Sequence, residues 1–301
     1  MLSVALRESK LAGVLVLVLV TLVWGTTFTV TKSSLASVGP LFFLALRFSM
    51  ASLGLLVLNV GAFRSISRDE WVGGVVLGVF LMLGFVFQTV GLVQTTAAKA
   101  GFITGLAVVL VPVVGALFFG RRPFWVVYLA AFIAALGLGL LTLDFDSMGI
   151  NMGDVWVFAC AVSYAFYILY LGNYAGKVRI LVLSLVQVYF TAICCWLLAI
   201  LVEGVAVSSF TLLPLGVWFG LVYLAISATI FTTVAQTWGQ RILSPERAAL
   251  IFTLEPVFAA IVAYLALGER LPAMGVLGSV LIMVGMLTAE VGSWVKHVPA
   301  A

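Results

Sequence analysis

The chain has 301 residues, 64% of them hydrophobic and 9% charged, against roughly 25% charged in an ordinary soluble domain. Its 15 Lys and Arg and 11 Asp and Glu are too few to cover a water-soluble core, and the composition also excludes a disordered chain, a collagen and a disulfide scaffold. A helical span takes about 20 apolar residues, so ten spans use roughly two thirds of the chain, which fits an all-α polytopic membrane protein.

Arg7 and Lys10 precede the first apolar run, as in a secretory signal, and Ser34-Leu35-Ala36 looks like a cleavage site. The run from Leu11 to Thr31 is longer than a signal core and ends in a tryptophan- and threonine-rich stretch, so it is read as the first span. In chain order the apolar runs fall at 11–31, 41–60, 71–93, 99–119 and 123–143, then at 152–172, 181–202, 214–238, 247–267 and 273–292. All connections are short and leave no room for a soluble domain. Trp71, Trp125, Trp156 and Trp294 sit at span ends, the headgroup level that an amphipathic ring prefers.

Alternate polar segments then hold the cations unequally. Arg7, Lys10, Arg64, Arg68, Arg121, Arg122, Lys177, Arg179, Arg241, Arg247 and Lys296 fall on one side, and Lys32, Lys99 and Arg270 on the other. By the positive-inside rule both termini are expected in the cytoplasm and the chain in the cell (plasma or inner) membrane. No basic cluster with interleaved aromatics lies outside the runs, so no nucleic-acid partner is expected. Cys160, Cys194 and Cys195 lie in apolar runs and His297 in the polar tail, so neither a metal centre nor another cofactor is expected. The sequence leaves monomer or homodimer open.

The halves resemble each other. An offset of 148 places Lys99–Arg122 on Arg247–Arg270 without a gap, with eight identities in 24 positions, and pairs Gln88 with Gln236 and Gly91 with Gly239. An offset of 140 brings Trp24 onto Tyr164 and Arg47 onto Gln187. Five spans per copy is an odd number, so the second copy enters the membrane from the opposite side, as in many secondary transporters. The expected architecture is ten transmembrane helices as two inverted five-helix repeats, residues 1–143 and 144–301, joined at the acidic stretch around Asp144, Asp146 and Asp154.

Several motifs are recognisable. Trp24-Gly25-Thr26-Thr27-Phe28, Arg47-Phe48 and Gly91–Phe102 resemble the drug/metabolite transporter superfamily. Ser244–Ala248, Leu254–Phe258 and Leu267–Arg270 resemble its EamA pattern, so the chain resembles two EamA units, closest in appearance to the aromatic amino acid exporter branch. The resemblance implies that spans 1–4 and 6–9 surround a central cavity, with spans 5 and 10 peripheral. The first copy departs from the pattern: it reads Gly120-Arg121-Arg122 where the second has the acidic Glu269.

Candidate site residues are the polar and aromatic groups that a bilayer does not explain. Pro112 and Pro256 are the prolines inside spans, in the repeat-related spans 4 and 9, and are candidate hinges or ordinary packing kinks. Glu255 is the carboxylate clearly inside a span; it is a coupling or substrate-charge candidate, or a structural partner for freed backbone donors or for Arg47. Arg47 is a helix clamp or a carboxylate anchor. Gln88 and Gln236 bind substrate or tie helices together. Trp24 and Phe28 share a face of span 1. Tyr164 and Tyr167 begin a tyrosine face on span 6 that Tyr170 and Tyr174 continue as candidate interface anchors. Gly101 and Gly105 are spaced for close helix approach, and Gly278, Gly285 and Gly292 repeat by sevens for internal packing or an oligomer contact.

No GxxxxGK[ST] loop is present, so the chain does not itself drive transport with ATP, and the nucleophile–base pair of a membrane enzyme is missing. The function expected is a secondary transporter exporting small amphipathic metabolites, aromatic or other apolar amino acids first, by alternating access; the alternative is a multidrug or other-metabolite carrier of the same fold.

Overall fold

A computed structural model describes residues 2–61, 65–121, 123–142, 150–205, 213–267 and 273–295. Arg64, Arg122, Asp144, Asp146, Glu269, Arg270, Lys296 and His297 lie outside them.

The described chain is helical throughout: α1 (Leu2–Gly25), α2 (Thr27–Ser34), α3 (Pro40–Val57), α4 (Arg68–Gln94), α5 (Ala97–Gly105), α6 (Ala107–Phe119) and α7 (Trp125–Thr142). It continues as α8 (Met152–Tyr174), α9 (Ile180–Glu203), α10 (Leu215–Ala225), a π-helical segment Ile226–Phe231, α11 (Thr232–Ile242), α12 (Pro245–Phe252), α13 (Glu255–Leu267) and α14 (Ala273–Val295). Among the described residues seven helical stretches are long and apolar enough to cross a membrane. The runs expected at 123–143, 247–267 and 273–292 are also helical, as α7, as α12 with α13, and as α14. The protein is an all-α polytopic membrane protein.

Helix starts are written in the sequence. Ser67 with Glu70, and Asn151 with Asp154, form capping boxes at α4 and α8. Thr96 and Ser244 cap α5 and α12 by accepting from Lys99 N and Arg247 N.

The breaks inside the expected spans are less legible. Span 1 is interrupted at Thr26, where the hydroxyls of Thr26 and Thr27 donate back to the carbonyls of Val23 and Trp24, both at 2.8 Å, in competition with the helix ladder. A side chain at Gly25 would meet Ala259 N and Glu255 O at 2.9 Å, so this position needs glycine for α1 to lie on α13. Span 4 is broken at Leu106 rather than at Pro112, which sits inside the continuous α6. Proline removes the bond to the carbonyl four residues earlier, so its disturbance falls on the turn before it. Pro256 is the second residue of α13, where a missing N–H costs nothing.

In packing, α4 lies antiparallel on α8, with Gly91 against Gly153 at one end and Gly73 against Tyr174 at the other. α5 and α6 also lean on α8, while α1 packs on α11, α12 and α13. α3 and α9 pair with each other beside these groups. α7 and α14 pack together through Gly137, Gly278 and Gly285, whose backbones approach closely. Gly278 and Gly285 therefore serve internal packing, and the surroundings of Gly292 lie outside the described side chains.

Candidate functional site

Between the α4–α5–α6–α8 group and the α1–α11–α12–α13 group lies a cavity of about 1110 Å³, its mouth included. Trp24 and Phe28 reach it from α1 and α2, Arg47 from α3, Gln88 from α4, Tyr164 and Tyr167 from α8, Gln236 from α11, and Glu255 and Pro256 from the start of α13. These sequence-predicted residues, spread over more than 200 positions of chain, meet around one space. Pro112 is buried in α6 and does not line it. Among the described residues none from α7, α9, α10 or α14 lines it. The seventh expected span therefore stands behind the wall, whereas the family resemblance implied a lining role. Gly101 faces the cavity, and nothing lies within 4 Å of where a Cβ would stand on it, so it leaves space rather than allowing the close helix approach expected of it.

Arg47 is 3% exposed and is held by the π segment. Its Nε donates to Thr229 Oγ1 at 2.9 Å and its Nη2 to the carbonyl of Ala228 at 3.0 Å. A π turn displaces carbonyls from the α ladder and makes them available to outside donors; here the Thr229 hydroxyl takes the Leu224 carbonyl. The guanidinium also lies over the Phe85 ring, 4.7 Å from its centroid. Arg47 therefore ties α3 to the π segment, and its Nη1 makes no hydrogen bond to a described residue.

Glu255 begins α13, directly after the break, and its carboxylate makes no hydrogen bond or ion pair with a described residue. Gln88 Nε2 donates to Thr104 Oγ1 at 3.2 Å. Gln236 Nε2 donates to Gln240 Oε1 at 3.0 Å, and Gln240 Nε2 to the Ile168 carbonyl at 2.9 Å, which joins α11 to α8. Tyr167 donates to Gln187 Oε1 at 2.9 Å, so α9 touches the wall from behind. The Trp24 ring lies 5.1 Å from that of Phe252. Tyr170 packs on Phe80 and Phe119.

Several further residues line the cavity without having been expected there. Thr229, Thr232 and Thr233 form a polar stripe with the expected Gln236 at three- and four-residue spacing, a signal that the sequence does carry. Phe85 and Phe252 carry none, since apolar aromatics abound in every span.

Both ends of the cavity are cross-tied. At one end Lys32 Nζ donates to the Leu92 and Thr95 carbonyls at the end of α4, and the Thr95 hydroxyl to Asp154. At the other, Arg121 donates to Asn173 Oδ1 at 2.9 Å and pairs with Glu246 at 3.4 Å. Beside it, Gly172 lies so close to Pro245 that a Cβ there would sit 2.6 Å from the proline ring. The cavity is thus walled by two helix groups and tied at both ends.

The family described as the EamA-like transporter family matches residues 11–143 and again 151–289. The chain belongs to this family. As an EamA-family protein it is a secondary transporter of small molecules and not an enzyme. It is 31% identical over 279 residues to an uncharacterized transporter of Archaeoglobus fulgidus, covering 90% of this chain and 83% of the relative. It is 24% identical over 290 residues to the uncharacterized transporter YyaM of Bacillus subtilis, covering 88% and 89%. One solved crystal structure superposes with a TM-score of 0.75 over 97% of this chain and 99% of its own, at 20% identity, a likeness of fold alone.

Proposed function

We propose that this EamA-family chain crosses the membrane ten times as two inverted five-helix repeats, 1–143 and 144–301. It exports small amphipathic metabolites, aromatic or other apolar amino acids first, by alternating access around the cavity. Both termini are cytoplasmic on the strength of the cation bias, which puts the Arg121 end of the cavity inside the cell. Export is the direction that the resemblance implies.

The observation that carries the reading is the composition of the cavity wall. Trp24, Phe28, Phe85, Tyr164 and Phe252 give aromatic surface, and Gln88, Gln236, Arg47 and Glu255 give a few polar groups on it, the mixture that binds small amphipathic ligands. The inverted repeat is supported by local structure: at the offset of 148, cap Thr96 falls on cap Ser244 and break residue Leu106 on break residue Leu254. The substrate-binding set is Trp24, Phe28, Gln88, Tyr164, Tyr167 and Gln236, with Glu255 and Arg47 as charge groups and Pro112 and Pro256 as hinges.

Counterflow of labelled tryptophan in proteoliposomes tests this. Acceleration by internal unlabelled aromatic or branched-chain amino acids is expected. No acceleration by any of them, with inhibition by chemically unrelated lipophilic cations, would replace the amino-acid reading by the multidrug one.

A further inference from the structure

We infer that Arg47 and Glu255 are two separate charge poles of the cavity, and that they select a zwitterion by meeting its anionic and cationic groups at the same time. The inference rests on the reading of the cavity as the transport site and adds what that site discriminates.

Both residues line the same cavity, yet they form no ion pair with each other; the ion pairs among the described residues join Arg121 to Glu246 and Arg179 to Glu70. Opposite charges in a space of low dielectric attract strongly, so a pair meant only to neutralise itself would close into contact. What keeps them apart is visible. Two of the three guanidinium nitrogens of Arg47 are tied to the π segment, and its plane rests over Phe85. Glu255 is held at the first turn of α13, whose position is fixed by the close approach of Gly25. Tyr164 lines the same cavity from α8.

Each pole therefore faces the cavity with capacity left. Arg47 has Nη1, and Glu255 has both carboxylate oxygens, which are not among the sealed, unpartnered polar atoms of the interior. A charge inside the membrane is costly until it is met. A ligand carrying one charge meets one pole and leaves the other as it was, whereas a zwitterion meets both and leaves a neutral complex to be carried. A guanidinium edge suits a carboxylate, and the aromatic walls take the remaining apolar body. The class recognised is a compact zwitterion with an apolar side group.

The test is competition against labelled L-tryptophan counterflow by three probes that share one side chain: L-tryptophan, L-tryptophanamide (cation only) and N-acetyl-L-tryptophan (anion only). In the wild type the two single-charge probes should compete at least tenfold more weakly than tryptophan. In Glu255→Gln the gap between tryptophan and N-acetyl-tryptophan should shrink to within about threefold, while the amide loses its remaining affinity. Arg47→Gln should do the converse, and Arg47→Lys should restore most of the selectivity; because Arg47 also holds the π segment, folding of its variants is followed by size exclusion. If they do not fold, the wild-type ranking and the Glu255→Gln arm decide. Single-charge probes that match tryptophan in the wild type, or a Glu255→Gln variant that weakens all three probes equally, would overturn the inference. So would a Glu255→Gln variant that keeps the ranking and loses only its pH-gradient dependence, since that makes Glu255 a proton carrier. Absence of tryptophan counterflow in the wild type strikes instead at the choice of substrate under the proposed function.

Discussion

Leu254 stands 148 positions after Leu106, and at each of them a membrane helix stops and restarts with its next segment beside the cavity. The coincidence is one of backbone, not of proline. Pro256 corresponds at this offset to Val108, one turn before Pro112. The two prolines thus do different work at equivalent breaks. Pro256 lies in the first turn of α13, where its fixed φ is suited and its N–H is not missed. Pro112 sits inside α6, where the carbonyl of Val108 loses its donor.

The two prolines should accordingly respond differently to alanine. Pro112→Ala restores an N–H to a helix interior and should stabilise the detergent-solubilised protein by about 1–3 kcal/mol. Pro256→Ala should be neutral or destabilise by about 0.5 kcal/mol, since it only frees the unfolded chain. Thermal unfolding of the two variants checks the order. If Pro112 is also a hinge, its variant gains stability while losing transport.

The ties at the two ends of the cavity should act as opposed latches. Gly101 offers a reporter, because a cysteine there enters open cavity space, in a background lacking the three free cysteines. Lys32 gives charged hydrogen bonds to two helix-terminal carbonyls, each worth about 1.5–3 kcal/mol net. Lys32→Met should raise labelling of Gly101→Cys by an impermeant maleimide about tenfold or more from the outside. Arg121 and Glu246 are partly exposed, and such a pair is worth about 1 kcal/mol or less. Arg121→Ala should therefore raise labelling from the cytoplasmic side only about two- to fivefold. Labelling that rises equally from both sides in both variants would show general loosening and no latch.

Much of the cavity was legible because scarcity is informative in a bilayer protein. Gln88 and Gln236 stood out as repeat-paired amides, and Arg47 and Glu255 as charges inside apolar runs. The partners were not legible. Lys32, Arg47 and Gln240 each bond main-chain carbonyls, and a carbonyl leaves no mark in sequence. The π segment has none of the usual breakers: Ile226–Phe231 contains neither Gly nor Pro. Arg47, a donor from another helix, holds the Ala228 carbonyl there, and that partner carries no sequence mark either.

Glu70 joins two helix starts. It caps α4 with Ser67 and receives Arg179 Nε at 2.6 Å and Nη2 at 2.8 Å, while itself 3% exposed. Glu70→Ala removes the cap and leaves both donors without their acceptor, so a loss of about 2–3 kcal/mol is expected. Arg179→Ala removes a half-exposed partner and keeps the cap, so about 1 kcal/mol should go. Thermal unfolding that ranks Arg179→Ala as the worse would place the energy in the ion pair and not in the cap.

Gly84 makes room for Tyr164. A Cβ at Gly84 would lie 2.6 Å from Tyr164 Cε1, a ring that lines the cavity. Gly84→Ala must push the ring into the cavity, so competition by tryptophan should weaken more than competition by valine, by about tenfold if a contact worth about 1.4 kcal/mol is lost. At Gly74 the clash is with the Val186 side chain on the packed face of α9. Gly74→Ala should therefore cost stability, about 1–3 kcal/mol, with no preference between the two competitors.

Arg47 and Gln187 occupy corresponding positions at the offset of 140, and their surroundings differ in one respect. Arg47 faces a helix opened by a π turn and finds a carbonyl there. Gln187 accepts from Tyr167, but its Nε2 is buried without a partner, and Ser184 Oγ one turn earlier is in the same condition. The helix that Gln187 faces, α4, is an unbroken α-helix whose interior carbonyls are already used. An orphaned buried donor costs about 1–3 kcal/mol, so removing it should release that amount. Gln187→Met loses the hydrogen bond from Tyr167 and exchanges the orphaned Nε2 for an orphaned Tyr167 hydroxyl, so it should cost about 1 kcal/mol. Tyr167→Phe alone takes the remaining partner from Gln187 and should cost about 1–3 kcal/mol. In Tyr167→Phe with Gln187→Met both polar groups are gone, and most of that cost should return. A double variant as unstable as the sum of the single ones would mean that Gln187 Nε2 is satisfied by a buried water bridging to Ser184.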